Sequence, residues 1–188
     1  MSEEARAALF PAAQYDTNMQ QVDLRSTNTW KLKIDQVELP ELAEVFAINT
    51  LAPFILNKRA ILLFDKSPMP YKFIVNVSAM EGKFYRYKTP HHPHTNMAKA
   101  AVNMMTRTCA EELTGRSIFM NSVDTGWIND ENPREKAQEI AATHNFQTPL
   151  DEIDAAARIL DPIFGGFQQE PHVFPSGQFF KDYQRSEW

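Results

Sequence analysis

One short run, Phe73-Ile74-Val75-Asn76-Val77, constrains what this chain can fold into more than any other feature. It is apolar and β-branched, with the length of a strand buried on both faces. Downstream, Met97, Ala98, Ala101, Val102, Met104 and Met105 recur at helical spacing behind Thr95 and Asn96, which read as the start of a helix. The sequence therefore predicts a buried strand, a polar loop and a helix, in that order. In α/β folds a ligand sits just beyond the carboxyl end of such a strand, which puts Ser78, Ala79, the His-rich loop and Lys99 where chemistry would occur.

The glycines limit that chemistry. All six, at positions 82, 115, 126, 165, 166 and 177, follow the central strand. A phosphate-cradling Gly-rich turn at the end of a preceding strand is therefore not available within these residues. A net charge of -5 gives no electrostatic footprint for nucleic acid or an anionic membrane, and no nucleic-acid or membrane partner is expected. The single Cys109 falls on the apolar side of the expected helix, where it reads as a small packed hydrophobe. The N-terminal apolar run is too short and interrupted for a signal peptide or a span, so a cytoplasmic location is the expectation.

At 188 residues a single domain is expected, with residues 1–37 irregular and 38–188 forming an α/β core. Phe10, Tyr15, Val22, Leu24 and Trp30 are the candidate anchors of the irregular segment, which also holds a possible short helix from Glu3 to Leu9. Pro40 opens a helix with Glu41 and Glu44 in its first turn, and its apolar face, from Leu42 to Leu51, is wide enough for contacts on two sides. Pro53 should kink or restart this helix. The second helix should stop at Gly115, and Ile118 to Val123 reads as the next strand, with a turn at Asp124-Thr125-Gly126-Trp127. An acidic-basic helix from Arg134 to His144 follows. A further helix capped by Thr148, with Pro149 at its first position, should end by Gly165-Gly166, or sooner at Pro162. Gln178 to Lys181 reads as the last strand.

The order of IVNVSA, TNMAKAAV and NSVDTGW resembles the C-terminal half of the short-chain dehydrogenase/reductase family, from about Glu38 to the C-terminus. The resemblance implies a partial Rossmann-like, doubly wound, mostly parallel sheet lacking its N-terminal strands. It also implies NAD(P)-dependent oxidoreductase ancestry. In the family a Ser at the strand end orients the substrate oxygen, a Tyr passes the proton, and a Lys four residues later lowers the phenol's pKa and holds the ribose. Here Lys99 stands at the Lys position, but the Tyr position is Thr95 and the Ser position is Ala79. Asn49 matches an Asn that holds a water near that Lys, and Thr125-Gly126 stands at the Pro-Gly turn over the nicotinamide, with Thr in place of the Pro and the Gly kept. Asn49 and Lys99 are thus the retained catalytic positions, and Lys99, Thr125 and Gly126 the vestigial cofactor positions.

A threonine hydroxyl is far too weak an acid to replace the phenol near neutral pH, and Ala79 offers no hydrogen bond. Tyr85 and Tyr87 lie in the loop, where folding back toward Lys99 would supply a phenol, but they read as ordinary loop aromatics. His91, His92 and His94 invite a metal reading, yet two prolines make this an extended turn without a visible fourth ligand, so no metal is expected. The function expected is a non-catalytic reductase-like module serving as a structural or interaction subunit, with no cofactor on the isolated chain. The alternative is an NAD(P)-dependent oxidoreductase whose nucleotide-binding half is missing from this chain. A protein partner or a second copy is expected on helices 41–58 and 96–114, which the family resemblance makes a subunit contact, and on the open strand edge 73–77.

Overall fold

The computed structural model describes residues 2–15, 19, 21–85, 87–128 and 150–188. The helix expected from Arg134 to His144 and the start expected at Thr148 and Pro149 lie outside those residues. Helix α1 spans Glu3–Leu9, followed by a 3-10 turn at Thr29–Lys31. Helix α2, Leu39–Phe46, passes through a π-helical stretch, Ala47–Leu51, into α3, Ala52–Phe64. Strand β1 is Lys72–Ser78, a 3-10 turn covers Met80–Gly82, and α4 is Pro93–Thr114. Then come β2, Ile118–Asp124, helix α5, Glu152–Phe167, and the hairpin of β3, Phe179–Lys181, with β4, Gln184–Ser186.

The four described strands form one sheet in sequence order, β1 parallel to β2, β2 parallel to β3, and β3 antiparallel to β4. This is the mostly parallel α/β architecture expected, with β1 at the edge. The alternation of β1 sends its side chains to two different cores. Ile74 packs with Ala110, Leu113, Ile118 and Met120, and Ile61, Phe64 and Cys109 close that layer beneath α3 and α4. Phe73 faces the other way, into an aromatic layer with Tyr71, Phe119, Phe167 and Phe174, whose ring centroids lie 4.8–6.3 Å apart.

Two boundaries differ from the sequence reading, the start of α4 and the end of α5. Helix α4 starts at Pro93, behind a left-handed His92 with φ 41°, so Thr95 and Asn96 lie inside its first turn instead of capping it. The described helix α5 starts at Glu152. Asp151 caps it, accepting from the Ile153 and Asp154 amides at 2.9 Å, and Asp154 reciprocates to complete a capping box. It then runs through Pro162 and both glycines to Phe167. A side chain at Gly166 would collide with the Phe174 ring, so this glycine serves close packing and does not stop the helix.

The kink is where Pro53 demands it. Proline has no N–H to give the carbonyl of Asn49, four residues back, and the ladder widens to π geometry just before it. In the N-terminal segment Val22 is buried, whereas Tyr15 and Leu24 are exposed. Trp30 anchors by an edge contact to His92, with centroids 4.8 Å apart.

Candidate functional site

Lys99 and Thr95 lie one turn apart on α4 and so share a helix face. The Lys99 ammonium reaches the carboxyl end of β1 and donates to the Val77 carbonyl at 3.3 Å. Burial holds its pKa below the ordinary lysine value, and the carboxylates of Glu81 and Asp124 pull only partly the other way. Among the described residues no carboxylate lies within ion-pair reach of it.

Asn49 sits in the π stretch, and its side chain donates to the Val45 carbonyl at 3.2 Å, a bond within its own helix. Its neighbour Thr50 donates to the Ala98 carbonyl at 3.3 Å, which docks the kink against α4 one residue before Lys99. Asn49 and Lys99 are thereby brought to the same seam. Ala79 follows β1 directly, in extended conformation.

The hydroxyl nearest that strand end is already engaged. Ser78 is buried and donates to Asn103 Oδ1 at 2.6 Å, while Asn103 Nδ2 donates to the Gly82 carbonyl at 3.2 Å. Its side chain therefore points under α4, on the face opposite to that of the next residue. The two loop tyrosines are elsewhere. Tyr87 is almost wholly exposed, and the Tyr85 hydroxyl lies 3.3 Å from Ser186 Oγ, at the C-terminal hairpin.

At the end of β2, Asp124 is buried and pairs with Lys181 at 3.2 Å. It also accepts from the Gly126 amide at 2.7 Å, closing a tight turn in which Gly126 has φ +84°. The space a side chain would take at Gly126 holds Leu150 Cδ1, so the Thr125–Gly126 turn is packed against protein.

The histidines clasp the N-terminal segment. His91 Nδ1 is 2.9 Å from the Lys31 carbonyl, the His92 amide donates to the Leu32 carbonyl at 2.8 Å, and buried His94 lies 3.4 Å from Glu41. Burial lowers the His92 pKa, with the Glu81 carboxylate opposing. Among the described residues no three His, Cys, Asp or Glu side chains cluster to hold a metal ion.

Two features escaped the sequence reading. Lys83 is buried, donating to Ser186 Oγ at 2.6 Å and lying 3.9 Å above the Phe179 ring centroid, which ties the loop after β1 to the C-terminal hairpin. The other is a polar network through the core. Asn57 donates to Asn76 at 2.8 Å, and Asn76 and Ser122 both donate to Thr106 Oγ1, at 2.9 and 2.8 Å. A lone Asn inside an apolar strand was the one available signal for it.

A family model described as enoyl-(acyl carrier protein) reductase matches residues 24–160, more than half of the chain. The chain belongs to the short-chain dehydrogenase/reductase family. An uncharacterized protein of Acanthamoeba polyphaga mimivirus is 32% identical over 157 residues, covering 80% of this chain and 32% of that relative. The NADPH-bound carbonyl reductase from chicken fatty liver superposes with a TM-score of 0.54 at 19% identity, over 87% of this chain and 64% of its own. The carbonyl reductase Sniffer of D. melanogaster gives a TM-score of 0.56 at 20% identity, over 79% of this chain and 57% of its own. At these identities the solved structures establish the fold. This reductase-family chain thus spans about a third of the viral relative and less than two thirds of either solved structure.

Proposed function

We propose that this chain is a non-catalytic short-chain dehydrogenase/reductase-like module that serves as a structural or interaction subunit of an assembly. The observation that carries the reading is the surroundings of Lys99. The residue one turn earlier is Thr95, the residue after β1 is Ala79, and the Ser78 hydroxyl is spent on Asn103 in the core. Proton transfer to a carbonyl oxygen needs an acid of matched pKa within hydrogen-bond reach, and neither threonine nor alanine supplies one. We read Asn49, Lys99 and Gly126 as retained positions of an ancestral oxidoreductase, with Thr125 standing where the family has Pro.

The residues present also fit a dinucleotide poorly. Among these residues no glycine precedes β1, and the Leu150 side chain packs on Gly126. The subunit reading is supported further by the helix from Leu39 to Phe64. Its 26 residues are long and apolar enough, by length and composition, to cross a membrane, yet not one of them is buried. Leu51, Phe54, Ile55, Leu62 and Leu63 are exposed on it, an apolar surface that calls for cover. Its bonds from Asn57 to Asn76 and from Thr50 to Ala98 hold it to the α/β body, so a protein partner on helices 41–58 and 96–114 is the cover we favour.

Calorimetry with NADH and NADPH, together with a turnover assay on a panel of aldehydes and ketones, tests the reading. The expected result is no saturable nucleotide binding and no turnover. A stoichiometric micromolar complex or measurable carbonyl reduction would overturn it in favour of an NAD(P)-dependent oxidoreductase.

A further inference from the structure

We infer that the Lys99 amine is a covalent capture site for neutral aldehydes, holding them as imines. Capture needs neither a nucleotide nor a partner chain, so it goes beyond the subunit reading and does not rest on it. The site starts with how the main chain of α4 is fixed. The Thr50 hydroxyl donates to the Ala98 carbonyl at 3.3 Å, and a side chain at Gly82 would stand 2.6 Å from the Lys99 carbonyl carbon. The π stretch and the 3-10 turn after β1 therefore both seat on α4 at this point. From there the Lys99 side chain reaches the carboxyl end of β1, where α/β folds place their ligands. A nucleophile whose backbone is already held gives up less freedom when it reacts.

What surrounds the amine decides its charge. Among the described residues it makes one hydrogen bond, to the Val77 carbonyl, and no ion pair. A neutral amine donates to a carbonyl as an ammonium does, and its lone pair then stays free. The residue is partly buried, which favours the neutral form and agrees with its lowered pKa. Its bond to Val77 lies at the surface, within reach of a small reagent. Thr95, one turn earlier, and Ala79, just after β1, bring no acidic group to it.

Three other lysines show the contrast. Lys181 is ion-paired with Asp124 at 3.2 Å, and Lys83 is buried with its ammonium on Ser186 Oγ. Burial lowers the Lys88 pKa as well, but that ammonium donates to the Met80 and Glu81 carbonyls at 2.8 Å each, and such short bonds favour the charged form. Of these four, Lys99 is the desolvated amine that no close partner holds in its charged state. An aldehyde suits it, because addition needs no leaving group and no second reactant. The nitrogen lone pair attacks the carbonyl carbon, the C–N bond forms, and the carbonyl π pair moves to oxygen, which takes one amine proton to give a carbinolamine. The hydroxyl then leaves as water with the second amine proton, and the C=N bond closes. One water is released, and nothing is oxidised or reduced. The Glu81 and Asp124 carboxylates, whose field Lys99 feels, disfavour an aldehyde that carries an acid group.

The full chain is treated with benzaldehyde near neutral pH, the imines are trapped with sodium cyanoborohydride, and peptide mass spectrometry locates the benzyl groups. Lys99 should be labelled about tenfold faster than Lys88 or the exposed Lys58. The preference should shrink with 4-carboxybenzaldehyde and vanish in urea, where every lysine meets the same solvent. Labelling of Lys99 no faster than that of Lys58 overturns the inference, as does a preference that survives unfolding. A preference that the acidic probe leaves unchanged overturns the choice of neutral aldehydes. Nucleotide binding or carbonyl turnover by the same chain would overturn the subunit reading and leave these labelling ratios to decide capture by themselves.

Discussion

Replacing Thr106 by Val should cost far more stability than its size suggests. The hydroxyl accepts from Asn76 Nδ2 at 2.9 Å and Ser122 Oγ at 2.8 Å, and donates to the Val102 carbonyl at 3.2 Å, so its donor and both acceptor sites are used. Thr106 and Ser122 are fully buried and Asn76 nearly so, which shields the donors from solvent. Valine keeps the shape and strands two donors. At about 1–3 kcal/mol for each buried unsatisfied group, the loss is about 2–6 kcal/mol, against a total of about 5–15 kcal/mol for a typical domain. Thr106→Ser is the control, since it keeps the hydroxyl and removes one methyl, worth about 1 kcal/mol. Urea unfolding followed by far-UV circular dichroism measures both, with an unchanged slope showing that the same surface is exposed. If valine proved no worse than serine, the network would contribute nothing beyond packing, and the assignment of Thr106 as its hub would be wrong.

Ser78→Ala should destabilise by about 1–3 kcal/mol, because it leaves the buried Asn103 Oδ1 without a donor. A shift in urea midpoint too small to resolve would mean that the Ser78 hydroxyl is free for other work. Lys99 makes stability depend on pH in the alkaline range. Its folded pKa lies below the unfolded value of 10.5, so between the two the unfolded chain binds more protons and stability rises with pH. Below the folded pKa both states are charged and the full burial cost persists. Lys99→Met should remove this rising limb when urea midpoints are compared from neutral pH up to 10.5, and parallel profiles for the two proteins would refute the assignment.

The sequence by itself determined what depends on neighbours along the chain. The β-branched run of β1, the kink forced by Pro53 and the end of α4 before Gly115 follow from local sterics and backbone donors, which no distant contact needs to supply. Motif order also marked the family, since strand, loop, helix and turn appear in one fixed succession. The reading of Thr95 and Ala79 as stand-ins for the family's Tyr and Ser rests on that same motif order. Tertiary structure decided what depends on residues far apart. Helix α5 passes Gly165 and Gly166 because the Phe174 ring needs a bare backbone at Gly166, a requirement placed by a residue beyond the helix. Lys83, a loop lysine by sequence, is buried because Ser186 and Phe179 meet it from about a hundred positions away. Ser78 loses its freedom to Asn103 on α4, and Thr106 gathers donors from β1 and β2. A polar side chain's role is set by which partner reaches it once water is excluded, and only the packed fold brings those partners together.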